Sequence, residues 1–568
     1  MNDIRRTILW VIFGFSMVLL WDQWQVHNGN KATFFPTPAQ QAKVATEAAS
    51  GLPQAAGVPT AVVAQATATV PAVETRTATK EWVQVETDLF KLSFDTEGGT
   101  LARVELLKHE DEQKPGHKIV LLDDSKDRIY TAQTGLISGV PGVALPTHKT
   151  LMTVRPGARK LKDGENALSI TFESAVQNGV KLVKTYTVKR GAYDMTVKHD
   201  IVNTGSQDVA PQLYFQLVRD GNKPVGESSF YSTFTGPAIY TEAKKYQKVE
   251  FADIKKKKVD VEKQSNVGYI AMVQHYFASA WILPQGMNRD ISLDAVDIGS
   301  AMPDCCYRVT AIAPLEVIKP GQSKTIEATF YAGPQEEKKL EALYPGLELV
   351  KDYGWLTILA KPLFWLLDQL FIILGNWGWS IVALVVLLKA AFYWLNAHAY
   401  QSMAKMKAIN PKIMEMRERL KDNPQQMQME MMKIYREEKV NPMGGCLPIA
   451  LQIPVFIALY WVLLSTVEIR NAPWLGWIHD LSAPDPFFIL PLVMTLTTLL
   501  QTALNPAPPD PMQAKMMWIM PLAFSVMFFF FPAGLVLYWI TNNVLSIAQQ
   551  WLINVRMGVP PQFNLPKF

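Results

Sequence analysis

The chain is poor in cysteine and in the motifs of metal or phosphate chemistry. Its 568 residues hold three cysteines, Cys305, Cys306 and Cys446, which build neither a spaced disulfide framework nor a C-x-x-C pair. A bridge between the neighbours Cys305 and Cys306 is possible on an oxidising side, but two free buried thiols are the expectation. Neither G-x-x-x-x-G-K-[ST] nor H-E-x-x-H occurs, which removes two common enzyme readings. His199 and His275 lack ligand spacing, so no metal is expected and no cofactor is implied. A scattered net charge of +4 gives no reason to expect nucleic-acid specificity. Nothing in these absences points to an enzyme.

What the chain has instead is hydrophobic sequence, 49% overall and unevenly spread. Arg5 and Arg6 precede an apolar run over 8–21 that leads into Trp21, Asp22, Gln23 and Trp24, with no small-x-small cleavage site near that end. Interfacial tryptophans suit an uncleaved anchor, although the run is shorter than the roughly 20 residues a span usually needs. Five further runs, 377–395, 447–467, 487–504, 516–531 and 535–553, bring the expected spans to six. Nine Lys and Arg residues lie between 405 and 439, whereas 468–485 holds only Arg470. The positive-inside rule then puts both termini in the cytoplasm and residues from about 27 to 351 on the far side, the periplasm of a double-membraned bacterium.

The soluble middle starts with a linker, Ala-, Thr- and Pro-rich over 28–80. From Trp82 the pattern changes to alternating apolar residues: Phe90, Leu92 and Phe94 before Gly98 and Gly99, then Leu168, Ile170 and Phe172, Met195 and Val197, and Ile326, Ala328 and Phe330. Many strands with few helical periods predict a large antiparallel β-sandwich over 81–345. Trp281, Tyr214 and Tyr240 are expected in its core rather than in a ligand groove, and Lys255 to Lys258 on a solvated loop. Within the segment 346–375, residues 355–374 are strongly apolar but carry Lys361 and Asp368 on one face, which suits a helix lying along the membrane interface. Gly375 and Asn376 should end it.

The rest divides into a span over 376–397, a cytoplasmic hairpin over 398–446, four spans over 447–555 and a short cytoplasmic tail over 556–568. In the hairpin, Asn423-Pro424 marks a helix start. Ile413, Met416 and Leu420 form one apolar stripe and Met427, Met431 and Ile434 another, with Glu415 and Arg419 spaced for pairing. Nine methionines between 403 and 443 suit a surface that accepts varied apolar partners, with Met416, Met427 and Met431 the candidates for client capture; packing within the helix pair is the competing reading.

Lys389 lies inside an otherwise apolar run. An ammonium at the middle of a bilayer costs about 2.5–3.5 kcal/mol, so it normally faces a partner or a watery cavity. Snorkelling is the alternative, but the helix rises roughly 10 Å before Asn396, more than a lysine stem spans comfortably. Polar residues repeat at helical spacing in the last span, at Tyr538, Asn542, Ser546 and Gln549. Thr495, Thr498 and Thr502 do likewise in the fourth, beside Gln501, and Gln452 interrupts the third. Such stripes either line a hydrated groove or bond packed helices together. Pro532-Ala533-Gly534 leaves almost no loop between the last two spans, which suits a bundle tied shut on the outside.

The segments NPMGGCLPIALQIPVFIALYWVL, WIHDLSAPDPFFILP and FPAGLVLYWITNN, in this order after a charged hairpin, closely resemble the YidC membrane insertases of the Oxa/YidC/Alb family. The resemblance covers the chain and implies a multi-domain membrane protein: a six-span α-helical bundle, a periplasmic β-supersandwich and a cytoplasmic helical hairpin. It implies a groove open to cytoplasm and lipid and closed toward the periplasm, with Lys389 at the position of the groove's basic residue. The family usually has arginine there, which keeps its charge better under desolvation. The same alignment puts Gln452, Tyr538 and Trp539 on groove or client-contact positions, and Val385 where a polar residue is frequent. The tail after Ile553 has only Arg556 and Lys567, short of a basic ribosome-binding extension.

The expected activity is therefore insertion and chaperoning of newly made inner-membrane proteins, without bond making or breaking. The family implies clients delivered by the ribosome or the signal recognition particle, partnership with the Sec translocon, and contact with membrane lipids. Two other classes compete on the residues alone: a multi-span transporter of a small anion with Lys389 as its binding charge, and an anchored periplasmic carbohydrate-acting protein. The first would more often show internal repeats, and the second needs an acid–base pair in a cleft.

Overall fold

The computed structural model describes residues 81–558, apart from 112–113, 115, 225–232, 297–304, 421–422, 439–446 and 506–510, together with residue 563. The expected anchor at 8–21, the linker and most of the tail lie outside the described residues. Among the described residues two compact units emerge, one within 81–355 together with 465–468, the other within 356–464 and 469–558.

The first unit is built on two nine-stranded antiparallel sheets. One runs, in spatial order, through Trp82–Glu86, Phe90–Asp95, Thr100–Glu110, Lys118–Asp124, Ile129–Ser138, Pro211–Asp220, Cys306–Pro314, Arg289–Val296 and Gln264–Ser265. The other runs through Lys245–Lys248, Gly236–Thr241, Tyr269–Gln274, Phe277–Ile282, Ser323–Pro334, Asp194–Asn203, Val180–Lys189, Ala167–Ser174 and Met152–Val154. Period-two patterning dictates which faces meet. In Asp194–Asn203, Met195, Val197, His199 and Ile201 are buried while the residues between them are not. At the core, Trp281 packs 4.5 Å from Phe330 and 5.3 Å from Phe215, ring centre to ring centre.

Gly98 and Gly99, expected at a turn, both take positive φ. A β-carbon on Gly99 would meet the Phe172 ring at 2.9 Å, so the close approach of the turn to the core also requires glycine. Trp281 and Tyr214 are fully buried, as expected, and Tyr240 is half-buried and stacked on Tyr269. Two short helices, α1 (Phe251–Lys255) and α2 (Glu337–Leu343), decorate the sheets, and Lys256 to Lys258 follow α1 as an exposed turn. The buried Lys351 pairs at 3.3 Å with Glu468, which fastens residues 465–468 into this unit.

The cysteine expectation is corrected. Cys305 and Cys306 are joined in a disulfide, at the start of strand Cys306–Pro314, where the Cys306 side packs with Ile129 and Val218. The apolar contacts of Cys306 suit a bridged pair, because the bridge removes both S–H groups.

The second unit contains α3 (Thr357–Leu374), α4 (Trp377–Ala391), α5 (Tyr393–Arg419), α6 (Pro424–Glu437), α7 (Leu447–Ser465), α8 (Ile489–Leu504), α9 (Pro511–Met527) and α10 (Ala533–Arg556). The segment expected to be one interfacial helix over 346–375 divides into two 3-10 turns, Leu347–Val350 and Gly354–Leu356, followed by α3. By length and composition α3 is apolar enough to cross a membrane. Gly375 ends α3 in the left-handed conformation, and the Asn376 side chain accepts the Trp379 amide to start α4. The span expected over 377–395 is bent by 68° between α4 and α5, at Phe392.

Helix α10 packs against α4, α5 and α8, and α3 against α4. At one end the connection between α7 and α8 covers the start of α10. The amides of Ala533 and Gly534 donate to Ala483 and Leu481 carbonyls, both at 2.8 Å. The buried Asp485 carboxylate accepts the Trp477 indole and the amides of Phe487 and Leu490. Gly378 of α4 admits Trp474 so closely that a β-carbon there would sit 2.2 Å from its ring.

Candidate functional site

Lys389 occupies the last turn of α4, just before the bend. Its ammonium donates to Ser546 Oγ on α10 at 2.7 Å, and that hydroxyl in turn donates to the Asn542 carbonyl at 2.7 Å. Among the described residues the lysine meets a hydroxyl and no carboxylate, so its charge is left uncompensated in an apolar bundle. The bend itself is fastened by Gln549, whose Nε2 donates at 3.2 Å to the Tyr393 carbonyl. A side chain that captures a helix carbonyl is a recognised cause of such breaks.

Beside the lysine lies a cavity of about 230 Å³, lined by Val385, Leu388, Lys389, Phe392, Gln452, Ile453, Val455, Phe456, Tyr538, Trp539 and Asn542. Its apolar wall is held by rings: Phe456 lies 4.7 Å from Trp539 and 5.9 Å from Tyr538. Gln452 Nε2 donates to Asn396 Oδ1 at 2.9 Å, tying α7 to α5. Lys389, Gln452, Tyr538, Trp539 and Asn542 thus come together from three helices, and Val385 supplies part of the dry surface. A chamber that mixes one cation, amides and phenol with aliphatic walls suits an amphipathic peptide segment better than a small ion, which needs a full set of polar ligands.

The family model for the YidC periplasmic domain matches residues 82–366, and that for the 60Kd inner membrane protein matches 369–559. Proteins named membrane protein insertase YidC are similar along nearly the whole chain. The one from Cupriavidus taiwanensis is 54% identical over 563 residues, covering 98% of both chains. The one from Burkholderia ambifaria is 51% identical, covering 98% of this chain and 99% of the other. The chain belongs to the YidC family. A crystal structure described as an active YidC insertase with its first transmembrane domain resolved overlaps with a TM-score of 0.38 at 18% identity, covering 83% of this chain and 92% of that one. A putative aldose 1-epimerase from Escherichia coli overlaps at 0.28 and 11% identity, covering 45% of this chain and 99% of the other. Overlaps this low bear on no functional question.

Other expected site residues of this YidC family member sit elsewhere. Ser546 lies behind the cavity wall, holding Lys389, and Gln549 lies at the bend. Thr498 belongs to a seam between α8 and α10, where Asn543 Nδ2 donates to its hydroxyl at 2.8 Å and to that of Thr497 at 3.2 Å. Gln501 is half-buried on α8 and does not line the cavity. Sequence reading missed Asn396 and Asn543, both buried. Asn543 carried a usable signal, since it lies seven residues before Gln550, which bonds Asn505 at 3.2 Å farther along the same pair of helices.

In the hairpin of α5 and α6, Asn423 caps α6 through the Gln426 amide and Pro424 opens it, as the sequence predicts. Met416 is buried with Ile409 and Ile413, and Met427, Met431 and Ile434 pack against them. The methionines assigned to client capture therefore form the hairpin's own core, because they fall on the two facing stripes. Met414, Met429 and Met432 are the exposed ones. Arg419 pairs with Glu430 across the hairpin at 2.8 Å rather than with Glu415 along α5.

Proposed function

We propose that this chain is a membrane protein insertase and chaperone that passes hydrophobic segments of newly made proteins from the cytoplasm into the inner membrane. The observation that carries the reading is the cavity in which Lys389, Gln452, Tyr538, Trp539 and Asn542 converge amid apolar helices. A client's short polar flank enters it, the groove lowers the desolvation cost of that flank, and Lys389 attracts its carboxylates. Burial of the client's apolar helix in lipid supplies the driving force, so no bond need be made or broken.

In this reading Leu492, Val493, Leu496, Leu522 and Phe524, all exposed on α8 and α9, face lipid. Six spans, cytoplasmic termini and a periplasmic sandwich follow from the basic loop at 405–439. The hairpin receives segments from the ribosome or the signal recognition particle. Its exposed Met429 and Met432 are better placed for first contact than Met416, Met427 and Met431, which maintain its shape. Partnership with the Sec translocon for larger clients rests on family membership.

Photocrosslinkers at Trp539 and, as a control, at Thr498 test the groove during translation of a single-span client. Nascent chains should label strongly at Trp539 and weakly at Thr498. Absence of nascent-chain label at Trp539, with protection there by a small anion, would favour a transporter instead.

A further inference from the structure

The groove's cation is aimed by a serine. Ser546 is 2% exposed, and its hydroxyl spends its one proton on the Asn542 carbonyl, a turn earlier in α10. A hydroxyl has one donor and two acceptor sites, so toward everything else Ser546 can only accept. The Lys389 ammonium takes one of those sites at 2.7 Å. One small side chain on α10, oriented by its own helix, therefore meets the cation at the end of α4.

We propose that Ser546 is a positioning residue and that it determines the insertase's preference for clients with acidic flanks. A lysine has four rotatable bonds and no planar fork, so it lacks the pre-organisation that a guanidinium would bring to this place. A neutral acceptor fixed by its own helix supplies that pre-organisation without cancelling the charge. It also leaves the remaining donors of the ammonium free for a client carboxylate, whereas a carboxylate at 546 would neutralise the cation. The inference rests on the proposed attraction between Lys389 and acidic flanks, and the test separates the two.

The experiment uses full-length protein in cells depleted of their own copy. Two single-span clients differ only in a flank carrying two Asp or two Asn, and insertion is scored by protease protection, with the amount of each variant in the membrane measured alongside. Ser546→Ala should lower insertion of the Asp client about tenfold, the scale of a lost charge-assisted hydrogen bond, and leave the Asn client within about twofold. Ser546→Thr keeps the hydroxyl and should restore the preference, whereas Ser546→Asp should abolish it. In a Lys389→Gln background Ser546→Ala should add nothing. Equal loss for both clients in Ser546→Ala, with Lys389→Gln still selective against the Asp client, would make Ser546 a packing residue and overturn the proposal. If Lys389→Gln itself fails to distinguish the clients, the charge-attraction reading falls instead.

Discussion

Lys184 is fully buried within the sandwich, and its ammonium donates to the carbonyls of Gly98 at 2.7 Å and Thr134 at 2.6 Å. Burial pulls its pKa from the ordinary 10.5 down to about 7. The unfolded chain therefore holds a proton between these values that the folded domain has released, and stability rises with pH across that window. Below about pH 7 both states are protonated and the whole cost of the buried charge applies. His199, beside Thr134 at 2.9 Å, is driven down to about 3 by burial and then by Lys184. It makes stability fall as pH drops from the ordinary 6.5 toward 3. Urea unfolding of the sandwich in the Lys184→Met protein should lose up to one proton of pH dependence between pH 7 and 10, about 1.4 kcal/mol per pH unit. An unchanged slope would mean that another group titrates there. At this scale the sequence showed which residues were polar in apolar surroundings, Lys389 above all. It did not show their partners: Asn543 meets Thr498 across 45 positions, and Gln452 meets Asn396 across 56. Local periodicity carries no information about contacts at that separation.

Among the elements, the hairpin is held by a small core and, among the described residues, by ion pairs of Lys412 with Glu438 and Arg419 with Glu430. Both basic partners are largely exposed, so the pairs contribute little. The buried Met416 contributes more. Met416→Ala should destabilise the α5–α6 contact by about 2–5 kcal/mol, while Arg419→Ala should change it by less than about 1 kcal/mol. Hydrogen exchange over α6 would register the difference, and equal protection in the two variants would show that the methionine core does not hold the hairpin. The helix end at Gly375 and the helix start at Asn423 were readable because a cap is chemistry within three residues. The 68° break at Phe392 was not, for no proline or glycine stands there and its fastener, Gln549, comes from α10.

At the scale of the whole molecule, each compact unit has its own organising centre: one is a sandwich core around Trp281, the other a bundle organised on α10. Excision of most of 82–320 should leave the groove residues in place and client insertion within about threefold of the intact chain, as expected for domains with their own cores. Loss of crosslinking at Trp539 in that deletion would show instead that the sandwich is needed to shape the groove. The sequence by itself determined the β class of the middle, the apolar segments, the hairpin and the lysine among them, because period-two and period-3.6 patterning, turn residues and caps are local properties of the chain. Only the tertiary structure decided that Lys389 bonds Ser546, that Thr498 joins α8 to α10 while Tyr538 and Asn542 line a cavity, and that Met416, Met427 and Met431 pack inside the hairpin. Those outcomes depend on which face of one helix meets which face of another, and a single helix's pattern says that a face is polar without saying what it will touch.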